Sequence, residues 1–76
     1  MRIEILGMGC FKCKQLYENA LNAVKEAGIT AEVLKIEDLE KITEYGVLAT
    51  PALVVNGEVK VSGRVLSSDE IKNLLA

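Results

Sequence analysis

The 76 residues contain no histidine and no tryptophan, one proline and two cysteines. Each scarcity removes a class of explanation. Without histidine, two cysteines fall short of the four N/S ligands of a structural zinc site within one chain. With one Phe, two Tyr, no basic block and a net charge of −2, the chain has neither a stacking platform nor the positive field that nucleic acid requires, so no such partner is expected. No apolar run approaches the roughly 18 residues of a membrane helix, so no membrane association is expected. The amino terminus enters RIEIL directly, without the charged and apolar regions of a secretory signal, and a cytoplasmic location is expected. Two cysteines are also too few for a disulfide-stapled secreted domain. Their only possible ring spans four residues, for which chain entropy gives about 2 kcal/mol against about 4.7 for a 100-residue loop. The pair is not there for stability.

What remains is a compact composition, 50% hydrophobic and 26% charged, read as one domain over residues 1–76. Arg2–Leu6 reads as a strand. From Phe11 to Ala27 the apolar residues Leu16, Ala20, Leu21, Val24 and Ala27 recur at helical spacing, with Lys14, Glu18, Asn22 and Lys25 opposite them. Gly28 supplies a left-handed cap. Ala31–Ile36 is a second strand. Asp38 caps a short helix through Tyr45 that Gly46 ends, placing Val47 to touch Ile42. VVNGEVKV reads as a tight hairpin pairing Ala52–Val55 with Glu58–Ser62 about an Asn-Gly turn. Ser67 and Glu70 are spaced as a capping box opening a last helix, with Leu66 and Ile71 at the staple positions. The order is β-α-β-α-β-β-α.

Chemistry concentrates in GMGCFKC. Cys10 stands at the edge of the first helix, where unpaired N–H groups and the helix dipole favour thiolate over thiol. Cys13 lies three residues on, facing Leu16 and Ala20, and is expected to be the less exposed sulfur. An exposed, activated thiol backed by a buried one suits thiol–disulfide exchange: the first attacks, the second resolves. Lys12 opposes the helix dipole, a local cost that makes sense if it stabilises the Cys10 thiolate. Lys14 reads as a solvated surface residue. Met8 completes M-x-C-x-x-C, the pattern of small copper-trafficking domains, so two thiolates binding Cu(I), or zinc shared across a dimer, form the alternative; Met8 itself reads more readily as a gap-filling residue. Copper-trafficking domains of that pattern run β-α-β-β-α-β and end on a strand, unlike this order. A third reading is an interaction module whose cysteines merely follow the redox state of the cell. Thr50-Pro51 precedes the hairpin strand, where proline is tolerated only at a strand start. From sequence alone it is a turn.

GCFKC at a strand–helix junction, ATPALVVNGEVKVSGRV and a capped closing helix together resemble the redox-active disulfide proteins, minimal relatives of thioredoxin and glutaredoxin. The resemblance covers almost the whole chain. It implies an α/β, thioredoxin-like fold: a four-stranded mixed sheet with helices on both faces. It further implies that Thr50–Pro51 is cis beside the sulfurs, that the backbone there pairs with substrate, and that Gly63 is a small residue letting substrate approach. Cys10 and Cys13 are then the catalytic pair of a thiol–disulfide oxidoreductase. The implied partners of this monomer are protein disulfides and a thioredoxin-reductase-like reductase, with no cofactor. The sequence departs from these relatives in its Phe-Lys dipeptide and in lacking a Trp before Cys10. SGRVLSSDE does not match the glutathione-holding Gly-Gly-Asp patch of glutaredoxins. Glu4 is the candidate for the buried acid that serves thioredoxin as proton acceptor.

Overall fold

The computed structural model describes residues 1–75. Its elements are β1 (Arg2–Leu6), α1 (Phe11–Ala27), β2 (Glu32–Ile36), α2 (Leu39–Glu44), β3 (Ala52–Val55), β4 (Glu58–Ser62) and α3 (Ser68–Leu75). The element order read from the sequence holds, with β2 starting one residue later and α2 closing at Glu44. Tyr45 is its C-cap, and Gly46 follows at φ 75°.

The strands form one mixed sheet in the order β2-β1-β3-β4. β1 runs parallel to β2 and antiparallel to β3, and β3 is antiparallel to β4. The central strands are buried on both faces, as the runs IEIL and ALVV require. Ile3, Ile5, Leu53 and Val55 face α1 and α3, where Leu16, Ala20, Ala23, Leu66 and Ile71 close the larger core. Leu6, Ala52 and Val54 face the other way, onto Ile42 of α2. Helices therefore cover both faces.

One sequence expectation needs correction. Leu21 is 41% exposed, and Ala23 is buried in its place. At about 100° per residue, Ala23 falls almost directly over Leu16, seven positions earlier, while Leu21 swings away from that line. The hairpin pairs Ala52–Val55 with Glu58–Ser62 as read, and within it Leu53 pairs with Val61 but Val54 with Val59, leaving Lys60 as the extra residue of a β-bulge. The turn itself is as read, with Asn56 at φ 50° and Gly57 at φ 84°, the positive pair of a two-residue hairpin turn.

The caps hold the element ends. Gly28 at φ 67° sends its N–H to the Lys25 carbonyl while Ile29 N–H reaches the Val24 carbonyl. Asp38 Oδ1 accepts from Glu40 N at 3.0 Å. Ser67 and Glu70 exchange both bonds of a capping box, at 3.1 and 3.2 Å. No helix among the described residues is long and apolar enough to cross a membrane.

Candidate active site

Leu6 ends β1 beside Ile36, and the loop Gly7–Gly9 carries the chain from the sheet to the start of α1. Cys10 is the N-cap: its backbone is extended and its Sγ accepts from Cys13 N at 3.3 Å. A sulfur thus occupies the place where a Ser or Asp oxygen normally satisfies the first turn. Cys13 Sγ lies 2.7 Å from Cys10 Sγ, and both are free thiols. Cys10 is exposed, and Cys13 is only 6% exposed. The environments push the two apart. The Cys13 thiol donates to Cys10 Sγ and, with the N–H groups of Cys13 and Lys12, holds Cys10 below the usual thiol range. Burial pushes Cys13 up, and the adjoining Cys10 sulfur adds to the shift.

Gly7 is what admits the buried sulfur. A Cβ at Gly7 would overlap Cys13 Sγ and stand 3.9 Å from Thr50 Cβ. The Thr50–Pro51 turn is therefore a near neighbour of Cys13. Its peptide bond is cis. Pro51 is fully buried while Thr50 is exposed. Gly63, at φ 80°, donates its N–H to the Pro51 carbonyl at 2.8 Å, and a Cβ there would come within 3.1 Å of Ala49 Cβ. The fold thus brings Cys10, Cys13, Thr50, Pro51 and Gly63 from three separate segments to one end of the sheet. Around them stand exposed apolar side chains: Met8, Phe11 and Leu48, the last with its whole side chain in solvent.

Three other expectations fare differently. Met8 fills no gap, being 61% exposed. What Lys12 supplies to Cys10 is its backbone N–H, while its side chain is exposed. Glu4 is buried, but on the α2 face of the sheet, where its Oε1 accepts from Tyr45 OH at 2.7 Å. Arg2 Nε is 4.0 Å from the same oxygen. Glu4 is not among the groups that shift Cys13. The feature missed in the sequence is a cavity of about 30 Å³ behind Cys13, bordered by Gly7, Gly9, Lys14, Lys35 and Glu37. Its only sequence signal was a pair of glycines before the first Cys; Glu37 reads as an ordinary acid after a strand. Among the described residues no three His, Cys, Asp or Glu side chains gather as a metal site.

A small α/β fold with a dithiol at a helix start and a cis-proline turn beside it defines the thioredoxin class of proteins. The family model for the thioredoxin domain matches residues 1–76, and the chain belongs to that family. It is 50% identical over 76 residues to a thioredoxin of Methanothermobacter thermautotrophicus, covering 100% of this chain and 99% of the relative. To a thioredoxin of Methanocaldococcus jannaschii it is 42% identical over 73 residues, covering 96% and 84% of the two chains. These relatives support a thiol–disulfide oxidoreductase type of role and give no support to metal trafficking.

Proposed function

We propose that the chain is a thiol–disulfide oxidoreductase that exchanges a Cys10–Cys13 dithiol for protein disulfides. The observation that carries this is the asymmetric pair: an exposed thiol held low, 2.7 Å from a buried thiol held high. In the reducing direction, Cys10 thiolate attacks a substrate sulfur and releases one substrate thiolate. Cys13, deprotonated, attacks Cys10 Sγ and releases the other, leaving a Cys10–Cys13 disulfide that a reductase resets. Thr50, Pro51 and Gly63 form the substrate-binding edge: Thr50 is exposed close to Cys13, and Gly63 adds no side chain there. Met8, Phe11 and Leu48 offer apolar contact to a polypeptide rather than to a small polar thiol. The same reading takes residues 1–76 as one catalytic domain, monomeric and cytoplasmic, with Lys12 assisting the Cys10 thiolate and no cofactor in the cycle.

The test is trapping. Cys13→Ser retains attack but not resolution, so mixed disulfides with partner proteins accumulate and are released by reductant. Cys10→Ser traps nothing. Trapping by Cys10→Ser instead, or stoichiometric metal held against chelators by the unmodified protein, overturns the assignment.

A further inference from the structure

The first turn of α1 carries two charges for which the fold has no use. Lys12 and Lys14 are both exposed, and no acid shares that turn with them. A cation there opposes the helix dipole, and neither lysine offsets that cost by a local contact. Among the described residues neither joins an ion pair. Glu18 stands four residues after Lys14, in the less favourable order for an i, i+4 pair. Glu37 borders the same small cavity as Lys14 without closing a bridge to it. Nor does the Lys12 ammonium serve Cys10: the groups that lower that thiol are the Cys13 thiol and backbone N–H groups, and from Lys12 only its N–H takes part. What the two lysines have is position. At about 100° per residue, Phe11 lies nearly opposite the buried Cys13, with Lys12 about 100° to one side of it and Lys14 about 60° to the other. The outward face of the turn is thus an apolar ring, 79% exposed, between two ammonium groups, and it adjoins the exposed thiol of Cys10. The chain as a whole has the opposite sign, with 11 acids against 9 bases.

We infer that Lys12 and Lys14 select substrates: the polypeptides this dithiol serves carry acidic side chains beside their disulfide, with an apolar residue to meet Phe11. The inference rests on the oxidoreductase reading above and names the substrate class of the same site. A carboxylate next to the substrate disulfide meets two ammonium groups that have no ion-pair partner among the described residues. A lysine or arginine in its place meets like charge. Complementary charge of this kind speeds encounter with the right partner and suppresses the wrong one. The ammonium groups carry the preference, and not the end of the helix, which every substrate meets alike.

Reduced protein is mixed, in a single turnover, with three synthetic peptides. Each is closed by one internal disulfide, and they differ only in the residues flanking it, which are Glu, Lys or Gln. The peptide disulfide is reduced to two thiols as Cys10 and Cys13 are oxidised to a disulfide, and mass analysis of quenched samples gives each rate. At about 0.01 M salt, where the screening length is about 30 Å, the Glu peptide should react about ten-fold faster than the Lys peptide, the lower end of what charge steering gives. The Gln peptide should fall between them. At about 1 M salt, where the screening length is about 3 Å, the ratio should shrink to within about two-fold. The measured quantity is a ratio, so any change in the reactivity of Cys10 itself cancels. Lys12→Gln together with Lys14→Gln should remove the preference, although the helix end is kept. Lys12→Arg together with Lys14→Arg should retain it. Equal rates in the unmodified protein, a preference for the Lys peptide, or a preference that survives the Gln pair overturns the inference and leaves the oxidoreductase reading standing. Loss of the preference in the Arg pair does the same, since charge is then not its source. If none of the three peptides is reduced, the oxidoreductase reading fails, and the inference with it.

Discussion

At the scale of the residue, the two sulfurs differ because one caps a helix and the other packs beneath it. Cys10 takes hydrogen bonds from the Cys13 thiol and from backbone N–H groups; Cys13 pays for its burial without an equivalent set. Alkylation at neutral pH should therefore modify Cys10 first and Cys13 slowly, read by mass mapping of each thiol over time. Equal rates would refute the asymmetry. Cys13→Ala removes the largest of the contacts that lower Cys10, so the pH at which Cys10 becomes reactive should move up. Lys12→Met should move it less, because the backbone N–H of Lys12 survives the change. Gly7 makes a separate test. Gly7→Ala places a methyl where Cys13 Sγ sits, and overpacking of this kind destabilises by about 1–3 kcal/mol. Thermal unfolding should show the loss, and Cys13 should become more accessible to alkylation. A stable variant with unaltered Cys13 protection would mean that the loop yields freely.

At the scale of the element, the ends of α3 and α2 behave as their sequences specify, since caps are local chemistry. Ser67→Ala should cost about 1 kcal/mol, lowering Tm by about 4–8 °C for a chain of this size. Glu70 is held below the usual carboxylate range, chiefly by the Ser67 N–H, with Arg64 adding its charge. A depressed carboxylate contributes stability above its unfolded value near 4.3 and loses it as pH falls through the lower folded value. The acid limb of the stability profile should therefore soften in Glu70→Gln; an unchanged limb would show the cap to be electrostatically idle. Legibility follows the same division between local and distant. The helix at Phe11–Ala27, the Asn-Gly turn and the capping box need only neighbours in sequence, and they stood in the pattern of residues. Leu21 was misplaced because an apolar residue on the flank of a helix satisfies the periodicity without touching the sheet. The bulge at Lys60 and the cavity behind Cys13 depend on how strands and loops far apart in the chain meet. The meeting of Thr50–Pro51 with Cys13 is of the same kind, and only the resemblance to a known family placed it. Glu4 was correctly buried, but its partner lies 41 positions away, so its face of the sheet was invisible.

At the scale of the whole molecule, the Glu4–Tyr45 hydrogen bond ties the central sheet to the end of α2, across a face where the core is thin. Glu4 and its burial raise the Tyr45 hydroxyl above its usual value. A raised group contributes stability that is complete below the unfolded value near 10 and disappears as pH climbs through the folded one. Alkaline denaturation should accordingly begin earlier in pH for the native protein than the number of ordinary lysines and tyrosines would suggest, and Tyr45→Phe should flatten that limb. The same substitution strands the Glu4 carboxylate, so stability at neutral pH should fall by about 1–3 kcal/mol; no loss would mean that water replaces the phenol. There is an optical consequence. The chain has no tryptophan and two tyrosines, so its near-ultraviolet emission comes from Tyr17 and Tyr45 alone. Tyr17 faces the Lys35 ammonium near the cavity, and Tyr45 is bound to a carboxylate that quenches an excited phenol by drawing off its proton. The folded protein should be dim and the unfolded one bright, so that each face of the sheet carries its own lamp, lit when that face comes apart.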